Sequence, residues 1–120
     1  MGKKRYTEGT WRSDPFFRRL CAAFRTCRTE RDVANFLRDV ATLAELKAMS
    51  ERWEVARLLN AGVSYRGAAA RTSASTTTVT RVAGFLRGDI GGYRSVLNHQ
   101  HHCSPARRGE RMVSKEYPVT

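Results

Sequence analysis

The sequence predicts an all-α protein. Three observations carry that expectation. Apolar residues recur at three- and four-residue spacings along most of the chain, capping side chains stand at the head of each such stretch, and no alternating apolar–polar run of strand length occurs.

Taken in order, residues 1–12 are polar and basic and read as a flexible arm, so the helical domain is expected over 13–97. Ser13-Asp14-Pro15 opens the first helix, with a capping side chain followed by proline in the first turn. Phe16, Phe17, Leu20, Cys21 and Phe24 then mark one apolar face, on which Cys21 reads as a small core residue. Thr29 with Asp32 resembles a capping box for a second helix carrying Val33, Phe36, Leu37 and Val40. Thr42-x-x-Glu45 is a fuller capping box, and Leu43, Leu46, Met49, Trp53, Val55, Ala56 and Leu59 continue along a long third helix. Gly62 stands where a left-handed C-cap is expected.

Two short helices follow. Ser64 caps one from Tyr65 to about Arg71, Thr72-Ser73-Ala74 is the turn, and Ser75 caps the other from Thr76 to about Arg87, before Gly88 ends it. Gly91-Gly92 is a break, after which Tyr93, Val96 and Leu97 make one or two last apolar turns. From Asn98 the chain is polar and aperiodic, with Pro105, Gly109 and Pro118, and 98–120 reads as a disordered basic tail.

A chain of 120 residues holds one domain with a small core, which oligomerisation would help to enlarge. Its 22 Lys and Arg outnumber 11 acidic residues, for a formal charge of +11, and such an excess draws polyanions, nucleic acid first among them. No stretch is long and apolar enough to span a bilayer, and the basic start is not followed by an apolar signal segment, so no membrane partner and a cytoplasmic, nucleoid-associated place are expected. The three cysteines, Cys21, Cys27 and Cys103, do not form a disulfide framework by number or context.

The pair of short helices, about 64–87, has the organisation of a helix-turn-helix. Such a motif needs small residues where its helices touch, and Ala69, Ala70 and Ala74 supply them. Val79, Val82, Leu86 and Phe85 are positioned to anchor the second helix. Its first turn must be short and polar to approach base edges, as Ser75, Thr76, Thr77 and Thr78 are, with Thr80 one turn on. Threonine methyls can touch thymine methyls, and hydroxyls reach bases or phosphates. Ser64, Tyr65, Arg66, Arg71, Arg81 and Arg87 surround the same unit, the arginines facing phosphates. Double-stranded DNA is the partner this pattern points to.

The run Glu51-Arg52-Trp53-Glu54-Val55-Ala56-Arg57-Leu58-Leu59-Asn60-Ala61-Gly62, leading through Ser64-Tyr65 into Ala74-Ser75-Thr76-Thr77-Thr78-Val79-Thr80-Arg81-Val82, resembles the Trp repressor superfamily, and specifically its YerC/YecD-type branch. The similarity spans about Phe16 to Leu97, with Leu43-x-x-Leu46-x-x-Met49 upstream and Gly92-Tyr93-x-x-Val96-Leu97 downstream. The resemblance implies an intertwined all-α homodimer whose shared core would take Phe16, Phe17, Phe24, Phe36 and Trp53. It also implies two projecting helix-turn-helix heads that meet half-sites about 34 Å apart, and a transcriptional regulator, most simply a repressor. In the Trp repressor two arginines flank the bound tryptophan; the matching positions, Arg52 and Arg81, are the candidate effector pocket. Val82, however, stands where that repressor has glycine, and Phe85 replaces a small serine, so no tryptophan corepressor is expected.

His99-x-His101-His102-Cys103 has metal-binding residue types, but they are crowded into one segment, whereas structural zinc sites pair ligands from two; a solvated tail is the simpler reading, and no metal or other cofactor is expected. No nucleophile–base arrangement, phosphate-cradling loop or carboxylate pair stands out, so an enzyme is not expected. The alternative to a sequence-specific regulator is a nonspecific nucleic-acid-binding or packaging protein that works by charge alone. Equilibrium dialysis against tryptophan is expected to give no micromolar binding; a saturable micromolar isotherm would contradict the pocket-filling role given to Val82 and Phe85.

Overall fold

The computed structural model describes residues 5–107, with side chains described for 5–100. After a single 3₁₀ turn at Trp11–Ser13 come six helices: α1 (Pro15–Thr26), α2 (Glu30–Val40), α3 (Leu43–Asn60), α4 (Tyr65–Thr72), α5 (Thr76–Arg87) and α6 (Gly92–Arg107). The described residues contain no strand, as the sequence pattern predicts.

The capping side chains act as expected. Asp14 accepts the Phe17 N–H at 2.9 Å with proline at the start of α1. The Thr29 hydroxyl accepts the Asp32 N–H at 3.0 Å while the Asp32 carboxylate takes the Thr29 N–H at 3.3 Å, a complete capping box despite the shorter acid. Thr42 and Glu45 make the same reciprocal pair, at 3.0 and 2.8 Å. Each satisfies backbone donors that a helix start leaves orphaned. Gly62 takes the positive φ, +95°, that ends α3.

The chain divides into two compact units, residues 1–46 and 47–120. In the first, residues 5–13, expected as a flexible arm, lie against the head of α1. Tyr6 donates to Asp14 at 3.1 Å, and Trp11 meets Phe17 edge to face, with ring centroids 5.4 Å apart. The aromatic residues Tyr6, Trp11 and Phe17 give this short segment an apolar anchor that its charged composition masks. Phe24 and Phe36 meet edge to face at 5.2 Å, yet neither α1 nor α2 contains a buried residue. Phe16 is 75% exposed, and Cys21, expected in a core, is also exposed. Their apolar helical phase is real, but within the first unit no described residue buries it.

The second unit has an enclosed core. Val55 and Ala56 of α3, Ala68 of α4, Ala74 of the turn, and Val79 and Val82 of α5 pack together, with Trp53, Leu58, Leu59, Val63, Ala69 and Tyr93 around them. Full burial of each valine stabilises the fold by roughly 1.5–3 kcal/mol. Helix α6 runs to Arg107, so the first ten residues of the expected tail, 98–107, are helical. No glycine or proline stands between Gly92 and Pro105, and loss of apolar periodicity reports exposure, not loss of helix. The rest of the expected tail, 108–120, and residues 1–4 of the arm lie outside the described residues.

Candidate nucleic-acid interface

The helix pair α4–α5 forms within the second unit, with the boundaries its caps imply. Ser64 Oγ accepts the Gly67 N–H at 2.9 Å, and Ser75 Oγ accepts the Thr78 N–H at 3.0 Å. Between them the chain turns through Ser73, whose φ of 67° is left-handed. Thr72 locks this turn, since its hydroxyl donates to the Ala68 carbonyl at 2.8 Å and accepts the Ala74 N–H at 3.1 Å. Ala68 of α4, fully buried, and Ala74 of the turn, 8% exposed, belong to the same buried cluster as Val79 and Val82 of α5. Ala70, expected there, faces solvent, a shift of helical phase that puts Ala68 in its place. Gly67 was not singled out by sequence reasoning. A Cβ on it would lie 2.9 Å from Val63 Cγ1 and 3.1 Å from Ser64 Oγ, so the cap and the chain entering it need a bare backbone there.

Along α5, Val79, Val82 and Ala83 are buried, as two of the expected anchors require, and Leu86 is half-buried. Thr76, Thr77, Thr80 and Arg81 face solvent. Ser75 and Thr78 are engaged locally: beyond the cap, their hydroxyl oxygens lie 3.1 Å apart in a hydrogen bond, and Thr78 is half-buried. Arg66 and Arg71 are exposed on α4. Tyr65, at the head of α4, accepts a hydrogen bond from Arg87 at the end of α5, Nη1 to Oη 3.3 Å.

The candidate effector residues Arg52 and Arg81 are both exposed and both act on Tyr93. Burial pushes the Tyr93 phenol above its ordinary range, and the positive charges of Arg52 and Arg81 pull it back down. Tyr93 stacks on Trp53 with centroids 6.2 Å apart. Val82 points into the core, whereas Phe85, expected as an anchor, is 44% exposed and lies under the Arg81 guanidinium, 5.3 Å from its ring centroid. Phe85 turns out of the core because Val82 and Leu86 already supply the inward positions of that turn. With Trp53, Ile90, Tyr93 and Val96 it lines an apolar groove of about 520 Å³.

Sequence reasoning missed Arg94. This exposed side chain of α6 donates from Nη1 to the carbonyls of Leu86 and Gly88, both at 2.8 Å. Nothing local in the sequence announces such a contact, because it depends on how the turn at 88–91 returns the chain. The metal candidates His101, His102 and Cys103 have side chains outside the described ones. No helix among the described residues is long and apolar enough to cross a membrane.

An all-helical unit with a capped helix pair, small residues at its crossing and a polar outer face on the second helix defines a helix-turn-helix protein. The model of the Trp repressor protein family matches residues 16–101, and the chain belongs to that family. It is 35% identical over 63 residues to the uncharacterised protein YerC of Bacillus subtilis, a match covering 52% of this chain and 61% of YerC, so the chain spans about three fifths of that relative. A TrpR-like protein of Eubacterium eligens, known from its crystal structure, is 30% identical with a TM-score of 0.69, over 74% of this chain and 92% of that one. Family and fold are those of DNA-binding regulators rather than enzymes, and the expected YerC-type resemblance holds.

Ser73 is the one described non-glycine residue at positive φ. Replacing it with glycine removes the left-handed strain at a modest entropic cost, so Ser73→Gly is expected to stabilise the fold by about 0.5–1 kcal/mol. Urea unfolding at fixed chain concentration checks this; an unchanged or lower midpoint would mean that the Thr72 hydrogen bonds, not the residue at 73, set the turn.

Proposed function

We propose that the protein is a sequence-specific, double-stranded-DNA-binding transcriptional regulator, a repressor that reads the major groove with α5 and uses no tryptophan corepressor. The observation that carries this reading is the two-faced character of α5: Val79, Val82 and Ala83 are buried, while Thr76, Thr77, Thr80 and Arg81 face out. Short hydroxyl-bearing side chains at a helix N-terminus let the backbone approach base edges. The helix dipole and the arginines at 66, 71 and 81 favour phosphates. The formal charge of +11 supplies long-range attraction, and the work is done in the cytoplasm, on the nucleoid.

The reading extends to a homodimer. Helices α1 and α2 each carry an apolar face, yet neither buries a residue within one chain, and Phe16, Val40 and Leu43 are all more than half exposed. A second copy offers matching faces, and two-fold pairing is the commonest closed assembly. Repression follows if a dimer seated on two half-sites excludes polymerase. Sedimentation equilibrium at micromolar concentration is expected to return twice the 13.6 kDa chain mass, and a mass of one chain would remove the dimer from the proposal.

The DNA reading is tested by selecting a duplex from a random library and measuring mobility shifts on it. Wild-type binding is expected to survive excess unrelated duplex. Thr77→Phe, an exposed change that leaves the core alone, is expected to weaken binding to the selected duplex roughly 10- to 100-fold, the cost of lost base contacts. Binding that ignores both the competitor and the substitution, and only falls steeply with salt, would replace the regulator by a charge-driven packaging protein.

A further inference from the structure

An α-helix leaves its last carbonyls without intrahelical partners, and the usual remedy is a left-handed residue just past the end. Helix α5 does not use it. Its C-cap, Gly88, is extended at φ −78° and ψ −177°, and only its N–H closes back, onto the Phe85 carbonyl at 3.2 Å. The Leu86 and Gly88 carbonyls are instead taken by one guanidinium nitrogen, Arg94 Nη1, at 2.8 Å each. Charge-assisted bonds of this kind are stronger than neutral ones, and a cation at a helix C-terminus also complements the helix dipole.

The intervening turn is shaped around that side chain. Gly91 has a φ of +75°, and a Cβ placed on it would come within 3.0 Å of Arg94 Nη2. On another side, Arg87, the last residue of α5, reaches Tyr65 at the start of α4. The C-terminal end of α5 is thus tied to α4 through Arg87 and to α6 through Arg94, while Ser75 and the buried valines hold the rest of the helix.

We infer that Arg94 is a positioning residue for DNA reading: it fixes the end of α5 against α6 so that the threonine face keeps one orientation. The inference rests on the DNA-binding reading of α5. Arg94 commits Nη1 to two backbone carbonyls, and on this reading it acts through α5 and not as a phosphate ligand. Removing it loosens the angle that base readout requires, without removing a charge contact to DNA.

The test compares wild type, Arg94→Gln and the charge-preserving Arg94→Lys, each checked for wild-type helix content. Two readouts are taken: hydrogen exchange of the amides at 86–91, and affinity for the selected and for unrelated duplexes across a salt series. Both variants are expected to speed exchange at 86–91 about tenfold or more while the buried part of α5 stays protected. Affinity for the selected duplex is expected to fall about tenfold, with unrelated-duplex affinity and the salt slope unchanged. A phosphate ligand would instead lose binding on all sequences alike in Arg94→Gln, flatten the salt slope by about one unit and be restored by lysine, and that result overturns the inference. Unaltered exchange at 86–91 overturns it as well, whatever the DNA result. Failure of the wild type to prefer the selected duplex sinks the regulator reading, and the exchange data then decide the clamp by themselves.

Discussion

The burial of Val79 and Val82 against Val55, Ala56, Ala68 and Ala74 is the constraint on which the proposed reading head depends. A helix turns by about 100° per residue. Once Val79 faces the core, Thr77 and Arg81, each two residues away, are carried about 200° round and face the opposite side. No separate interaction is needed to present them. The crossing itself is possible because Ala68 and Ala74 are small: a larger side chain at either would push α4 away from α5 and rotate the outer face with it. Capping then sets where the outward face begins. The Ser75 hydroxyl ends the turn and starts α5 in one step, so the first exposed residues of the helix are threonines.

Those caps explain why so much of the fold was legible in the sequence. Asp14, Thr29, Thr42, Ser64 and Ser75 each act on backbone within three residues, and chemistry that local survives whatever the tertiary packing does. Periodicity was less complete as a guide, because it records which residues are covered and not which are helical. Hence the helical residues 98–107 looked like tail, and the segment around Tyr6 and Trp11 looked like a loose arm. The exchange of Ala70 for Ala68 is of another kind. In a row of three alanines, composition cannot give helical phase, and only the neighbours of that row decide which methyl points inward. Within the site, the capping serines, the exposed threonines and the buried valines could be read from spacing. Arg94 could not, since its partners are carbonyls, which every residue has.

The two units solve the burial problem differently. The second unit has a core of its own between Trp53 and Tyr93, whereas α1 and α2 hold apolar faces with no buried residue. Helices of 12 and 11 residues are marginal in water by themselves. Caps at their starts, the Trp11–Phe17 contact and the Phe24–Phe36 contact add a little, each aromatic pair contributing roughly 0.5–1.5 kcal/mol beyond burial. That is small beside what covering Phe16, Phe24, Val40 and Leu43 would contribute. The dimer proposed above accounts for this imbalance: the unit whose faces lie bare is the one that a second copy would complete, and the unit carrying the reading head already stands on its own core.

The same division bears on how the head would meet DNA. Long cationic side chains usually lose roughly 0.5–1.5 kcal/mol of conformational freedom when a partner immobilises them. Here two are held beforehand. Arg81 lies over the Phe85 ring and Arg87 is bonded to Tyr65. Arg81 keeps its full charge in this position, because a ring face attracts a cation without neutralising it. Phe85, 44% exposed and outside the core, holds Arg81 on the outward face of α5. If α5 is the reading helix proposed above, these side chains lose less conformational freedom when DNA binds.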